Sequence, residues 1–215
     1  MKTVREIYSA YRIMPSLGIH QLRVAAVAKA IRENFTEPLN EHDVLVACLF
    51  HDMGNIIKSD LEYFPEFLEP EGLEYWQKVK DEFVRKYGTD EHRATQTIVK
   101  EIGISDVAFS YLSAVGYQSL ERTLRDPSFE KKICAYADMR VDPYRVCSIE
   151  ERISEGRKRY AERKDKAMSP DRLRTLDNAL RELEKQILKK TKIKPEDINE
   201  EKTKSIIAEL ECFEI

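Results

Sequence analysis

The sequence predicts an all-α fold: a helical bundle over about residues 1–147, followed by a charged helical extension over 148–215. Three observations predict it. Glycine and proline are scarce, 7 and 8 in 215 residues, so few points interrupt the chain. Apolar residues recur with a period near 3.6, and strand-like alternation is rare. Hydrophobic residues make up 42% of the chain, enough for a core in one domain of this length.

Taken in order, residues 3–13 form a first helix that Met14-Pro15 ends. A second runs from about Leu17 to Phe35, where Leu22, Val24, Ala25, Val27, Ala28 and Ile31 make a broad buried face; Glu37-Pro38 breaks it. Asn40 caps a third helix, and Asp43 reinforces its negative first turn. Val44 to Phe50 is apolar nearly all round, so this helix is expected at the centre. Gly54 is its expected C-cap. Residues 54–70, with Tyr63, Phe64 and Phe67, read as a packed loop. Helices are then expected over 71–87, 90–102, 105–115 and 127–140, the last closed by Asp142-Pro143. From Ser148 the composition turns to Arg, Lys and Glu. Helices over 149–167 and 171–190 form an antiparallel hairpin, the second announced by Ser169-Pro170-Asp171. A short helix near 200–212 ends the chain. Leu173, Leu176, Leu180, Leu183 and Ile187 make a narrow seam that packs on the domain, on the neighbouring helix or on a second subunit.

Charged residues reach 35% but the net charge is only -3. No global field recruits nucleic acid or an anionic membrane, so a polyanionic substrate must meet a local cluster of cations. The basic stretch Gly156 to Lys164 is interleaved with acids and reads as a solvated helix face. The four cysteines (Cys48, Cys134, Cys147, Cys212) form no C-x-x-C pair. With no apolar leader and no long apolar run, they point to a soluble protein in the reducing cytoplasm.

Four metal-ligand side chains stand on otherwise apolar helix faces: His20, the pair His51-Asp52, and Asp138. An unpaired buried carboxylate costs several kcal/mol, and no Lys or Arg is near Asp52 in sequence. One shared divalent ion would offset all of these desolvation costs. Two imidazoles with two carboxylates suit Mn, Fe, Co, Ni or Zn, and Mg less well. Such an ion would leave positions open for water and a phosphate oxygen. Taken singly, each of the four has a bland reading as a satisfied core or cap residue; the ordered set does not.

At these residues the sequence resembles the HD-domain metal-dependent phosphohydrolases, whose pattern is H…HD…D in an all-helical domain. The resemblance covers about residues 1–145 and implies that His20, His51, Asp52 and Asp138 are the metal ligands. Within that group it looks most like the HD-domain 5′-deoxynucleotidases. The stretch from His20 to Ile31 is similar to their metal-His helix, and Tyr136-Ala137-Asp138 to their last-ligand segment. That likeness implies substrate roles for Asp60 and for Arg12, the latter as a phosphate ligand. Where those enzymes carry a catalytic Glu three residues after the HD Asp, this chain has Asn55, which cannot exchange protons as a carboxylate can. The catalytic positions are thus Asp52 and Asn55.

Arg23, one turn beyond His20, either contacts a substrate phosphate or pairs with an acid. Lys58 is a further phosphate candidate. Arg140 is expected to pair structurally, His42 to be exposed, and His92 alone offers too few ligands for a second metal. Tyr75, Trp76, Tyr63, Phe64 and Phe67 either line a base pocket or belong to the core. The expected partner is a small phosphate ester, a nucleotide or a similar molecule. Membrane and nucleic acid are not expected, and a homo-oligomer through the C-terminal helices is open. The expected function is hydrolysis of that ester by a metal-activated water. A non-catalytic metal- and nucleotide-binding module and a nucleotide pyrophosphohydrolase are the alternatives.

Overall fold

The computed structural model describes residues 2–162 and 168–215. Among these, eleven α-helices and no β-strand longer than an isolated bridge are present. They are α1 Val4–Ala10, α2 Pro15–Glu33, α3 Glu41–Phe50, α4 Gly72–Tyr87, α5 Glu91–Ile102, α6 Asp106–Leu112, α7 Leu120–Arg125, α8 Phe129–Asp138, α9 Ile149–Glu162, α10 Pro170–Leu188 and α11 Glu200–Leu210. The last five residues of the expected 149–167 helix lie outside the described residues, as do Arg163 and Lys164 of the basic stretch.

The centre is α3. Every residue from Val44 to Phe50 is buried, as the all-round apolar pattern requires. The Asn40 side chain caps it by accepting from the Asp43 N–H. Helices α2, α6 and α8 pack around α3. The small residues Ala25, Ala26 and Ala28 of α2 are fully buried and let the helix axes approach closely.

Several boundaries differ from the sequence reading. The first helix stops at Ala10 rather than at residue 13, because a Schellman turn closes it early. The Ile13 N–H reaches Tyr8 O at 2.9 Å and the Arg12 N–H reaches Ser9 O at 3.0 Å. Arg12 occupies the left-handed position of that turn, with φ 49°, where glycine is the usual residue. Gly54 is not a C-cap: its φ is −94°, and it serves a close contact described below. The loop 54–70 contains two 3-10 turns, Asn55–Lys58 and Pro65–Leu68. Helix α7 escaped the sequence reading because six residues span too little of a helical period to reveal one.

The charged segment after Ser148 packs against the same core. Leu176, Leu180, Leu183 and Ile187 of α10 are fully buried where α10 meets α7 and α8. The seam is thus occupied within the chain. Arg181 pairs with Glu150, and Arg157 with Asp177, an order of contacts that makes α9 and α10 antiparallel. Helix α11 lies along α2. No helix is long and apolar enough to cross a membrane among the described residues.

Candidate metal centre

His20 sits in the second turn of α2. His51 is the C-cap residue of α3 and Asp52 follows it. Asp138 is the last residue of α8. Three helices thus deliver four candidate ligands, three of them at helix C-terminal ends. Local contacts fix each one. The His51 Nδ1–H donates to Cys48 O at 2.8 Å; a carbonyl can only accept, so the lone pair is left on Nε2. The Asp52 N–H donates to Gln21 Oε1 at 3.1 Å, and Gln21 is fully buried. The Tyr8 hydroxyl donates to Leu49 O at 2.5 Å, satisfying a carbonyl that the end of α3 leaves open. Burial first, and the Asp52 charge second, push that phenol well above its usual range. Gly18 makes room for the Tyr8 ring: a Cβ there would lie 3.3 Å from Tyr8 Cδ2.

The side chains converge. His20 Nε2 lies 3.3 Å from Asp138 Oδ1 and 3.8 Å from Asp52 Oδ2. His51 Nε2 lies 3.4 Å from Asp138 Oδ1 and 3.5 Å from Asp52 Oδ2. Ligand atoms of His20, His51 and Asp52 all fall within 4.8 Å of one another, and Asp138 closes on both imidazoles. Ligands about 2.1 Å from a shared ion stand about 3 Å apart when adjacent and about 4 Å apart when opposite, so these separations suit a common cation.

Two further observations test that fit. His51 Nε2 is buried and has no hydrogen-bond partner among the described residues, a state that costs about 1–3 kcal/mol unless something occupies its lone pair. Among the described residues Asp52 and Asp138 meet no Lys or Arg; their only cationic partners are the imidazoles. Without an ion the site is held by protons. Burial opposes ionisation of Asp138, but the imidazoles of His20 and His51 beside it hold its carboxyl well below the usual range. Burial also disfavours a charged His51, yet Asp52 and Asp138 outweigh it and raise the imidazole to about 9. A site that binds a proton so firmly is one whose net negative charge wants a cation.

The other predicted site residues lie as follows. Arg12 pairs with Glu82 of α4. Arg23 is held by Glu200 of α11, with Nη2 to Oε1 at 2.8 Å. Lys58 stands 3.6 Å from Glu91. Asp60 is exposed and its Oδ1 accepts from the Glu62 N–H at 3.2 Å. Asn55 opens the 3-10 turn, and its side-chain amide makes no hydrogen bond with the described residues. The imidazoles of His42 and His92 are 62% and 77% exposed and point to no second centre. Trp76 is core, with its indole N–H on Leu68 O at 3.1 Å. Phe64, Phe67 and Tyr144 form a cluster at the surface. Sequence reasoning missed Gln21 and Tyr8. A glutamine inside an otherwise apolar helix, next to His20, was the available signal for the first.

Comparison with family descriptions matches the HD domain over residues 17–139, more than half of the chain. Comparison with curated proteins gives no match, and comparison with solved structures gives none. The matched span begins three residues before His20 and ends one residue after Asp138, so it holds all four converging ligands inside the helical frame described above. This chain therefore belongs to the HD-domain family, the metal-dependent phosphohydrolases whose all-helical domains bind divalent metals.

Proposed function

We propose that the chain hydrolyses a phosphate ester of a nucleotide or similar small molecule, with one divalent cation held by His20, His51, Asp52 and Asp138. The observation that carries this reading is the convergence of two imidazoles on two carboxylates that meet no Lys or Arg among the described residues. The donor set favours Mn, Fe, Co, Ni or Zn over Mg, and such an ion, when bound, polarises a phosphoryl oxygen and acidifies a water.

The chain's own residues hold the donors rigid and supply the surrounding charge. Cys48 O fixes the His51 tautomer, and Gln21 fixes the backbone at Asp52. Lys58 is the most available phosphate contact, since its pair with Glu91 is long and its side chain is 39% exposed. A phosphate could reach Arg12 or Arg23 only by displacing Glu82 or Glu200. Asp60, exposed in the same loop, is proposed to meet a sugar hydroxyl on the 5′-nucleotidase-like reading. The free thiols, three of them buried, support a cytoplasmic location. Self-association through the C-terminal helices would have to use their charged outer faces, because the apolar seam is occupied.

The position three residues after Asp52 supports a second reading. Asn55 cannot relay a proton, which suits a module that binds metal and nucleotide without turnover. Full-length protein supplied with Mn or Co, screened against nucleoside mono-, di- and triphosphates, separates these readings. Release of inorganic phosphate, lost in Asp52→Ala, supports the hydrolase. Release of pyrophosphate redirects it to a pyrophosphohydrolase. Binding with no product from any substrate replaces it with the regulatory module.

A further inference from the structure

Asp138 ends α8, and helix ends fray. A ligand placed there needs an anchor beyond the helix, and the fold supplies one from outside the HD-domain match. Arg140, two residues on, is 2% exposed. Its Nε donates to Cys147 O at 2.5 Å, Nη1 to the Tyr136 hydroxyl at 2.7 Å, and Nη2 to Pro195 O at 3.0 Å and Ile198 O at 2.8 Å. Among the described residues no carboxylate touches this guanidinium; the nearest link is Tyr136, which donates to Glu184 Oε1 at 2.7 Å. Four neutral acceptors on three stretches of chain are reached at once by a planar fork and by no other side chain.

The same C-terminal segment grips α2. Glu200 Oε1 accepts from Arg23 Nε at 3.0 Å and from Nη2 at 2.8 Å. Glu200 Oε2 also accepts from the Val146 N–H at 2.9 Å, in the turn that leaves Asp138. Arg23 lies one helical turn beyond His20. Residues Pro195 to Glu200 therefore touch both the helix that carries His20 and the end of the helix that carries Asp138. We propose that Arg140 and Glu200 are positioning residues, and that the segment Pro195 to Glu200 is a brace setting the His20–Asp138 separation for cation binding. The proposal rests on the metal reading above but concerns residues outside the HD-domain match.

The test uses the full chain. Mn2+ affinity is measured by calorimetry on the unaltered protein and on Arg140→Lys, Glu200→Gln and the control Glu150→Gln, which breaks a surface pair between α9 and α10. Hydrogen exchange on metal-free protein follows the amides of Met139, Arg140 and Val141, whose bonds to Ala135, Ala137 and Asp138 close the end of α8. Arg140→Lys is expected to weaken Mn2+ binding about tenfold or more, the range for residues that orient metal ligands. Glu200→Gln should act in the same direction. Both should speed exchange at the three amides without matching acceleration in the core of α3, and the control should do neither. Wild-type affinity in Arg140→Lys and Glu200→Gln overturns the proposal, as does exchange that quickens equally everywhere. If Arg140→Lys does not fold, Glu200→Gln decides alone, since its side chain is 44% exposed. If the unaltered protein takes up no Mn2+, the metal reading fails and the exchange measurement by itself judges the brace.

Discussion

Gly54→Ala should damage both the fold and the metal centre, and the size of the damage follows from space. A Cβ at position 54 would lie 2.5 Å from Glu91 O, 2.8 Å from Ala94 Cβ and 2.8 Å from Thr95 N. Two of these are backbone atoms in the first two turns of α5, a helix pinned at its start by Asp90, whose carboxylate accepts from the His92 and Arg93 N–H groups. They cannot swing aside as a flexible side chain would. Ordinary contact requires α5 to recede by about 0.6–0.9 Å, which also strains the 2.9 Å bond from the Gly54 N–H to Thr95 Oγ1. Overpacking of this kind costs about 1–3 kcal/mol, and the hydrogen bond adds about 1. A total of about 2–4 kcal/mol lowers the melting temperature by about 5–15 °C in a chain of this size. Because His51 and Asp52 immediately precede the displaced turn, Mn2+ affinity should fall as well. Thermal unfolding with and without Mn2+, plus calorimetric titration, checks both. Gly72→Ala is the control: it has nothing within 4 Å, though φ is +82°, so it should cost only about 1 kcal/mol of backbone strain and leave Mn2+ affinity alone. If Gly54→Ala melts and binds metal like the unaltered protein, the packing of α5 on the HD turn does not hold the ligands.

Metal-free protein should lose stability as pH rises. His51 is raised from 6.5 to about 9 by Asp52 and Asp138 against the pull of burial, so its contribution is full below about 6.5 and is lost on passing 9, on the order of 1–3 kcal/mol; denaturant midpoints flat from pH 6 to 10 without metal contradict this. Arg12→Gly relieves a left-handed residue worth about 1 kcal/mol and gives up a half-exposed ion pair worth about 0–1, so denaturation should show stability unchanged or slightly raised while KM for a phosphate ester increases; an unchanged KM removes Arg12 from the substrate site. Asn55→Glu should raise kcat if an acid is what that position lacks, and an unaltered kcat assigns proton transfer elsewhere.

The legible parts of this molecule are those where one local pattern suffices. Val44 to Phe50, apolar all round, had to be central, and four metal-ligand residue types on apolar faces were visible as a set before the structure brought them together. What stayed hidden depended on tertiary neighbours. Arg12 carries no glycine-like signal, so the early end of α1 could not be read from the residue that closes it. Gly54 looked like a cap because caps are the commonest use of glycine at that place, whereas its contact with α5 joins residues some forty positions apart. Arg23 offered two equally good readings, and its pair with Glu200, distant in sequence, could not be read from the local pattern. Buried acids and imidazoles are conspicuous because desolvation singles them out, while side chains that hold their neighbours by ordinary hydrogen bonds leave no mark in composition.

The change of composition at Ser148 is not a boundary of folding if the core that spans it is needed. A chain ending at Cys147 keeps all four candidate ligands but loses Leu176, Leu180, Leu183 and Ile187, all fully buried. Their burial is worth about 1.5–3 kcal/mol each, so together roughly 6–12, against a total stability of about 5–15 for a typical domain. It also strips Arg140 of Pro195 O and Ile198 O and leaves Arg23 without Glu200, exposing one buried cation to partial satisfaction. Either loss alone is severe, and both fall on the helices that carry His20 and Asp138. The truncated chain should therefore show helical circular dichroism without a cooperative thermal transition, and no saturable Mn2+ binding. A cooperative melt and full-length Mn2+ affinity in residues 1–147 would establish the opposite, that the segment named by the HD-domain match folds and binds metal without its charged neighbour.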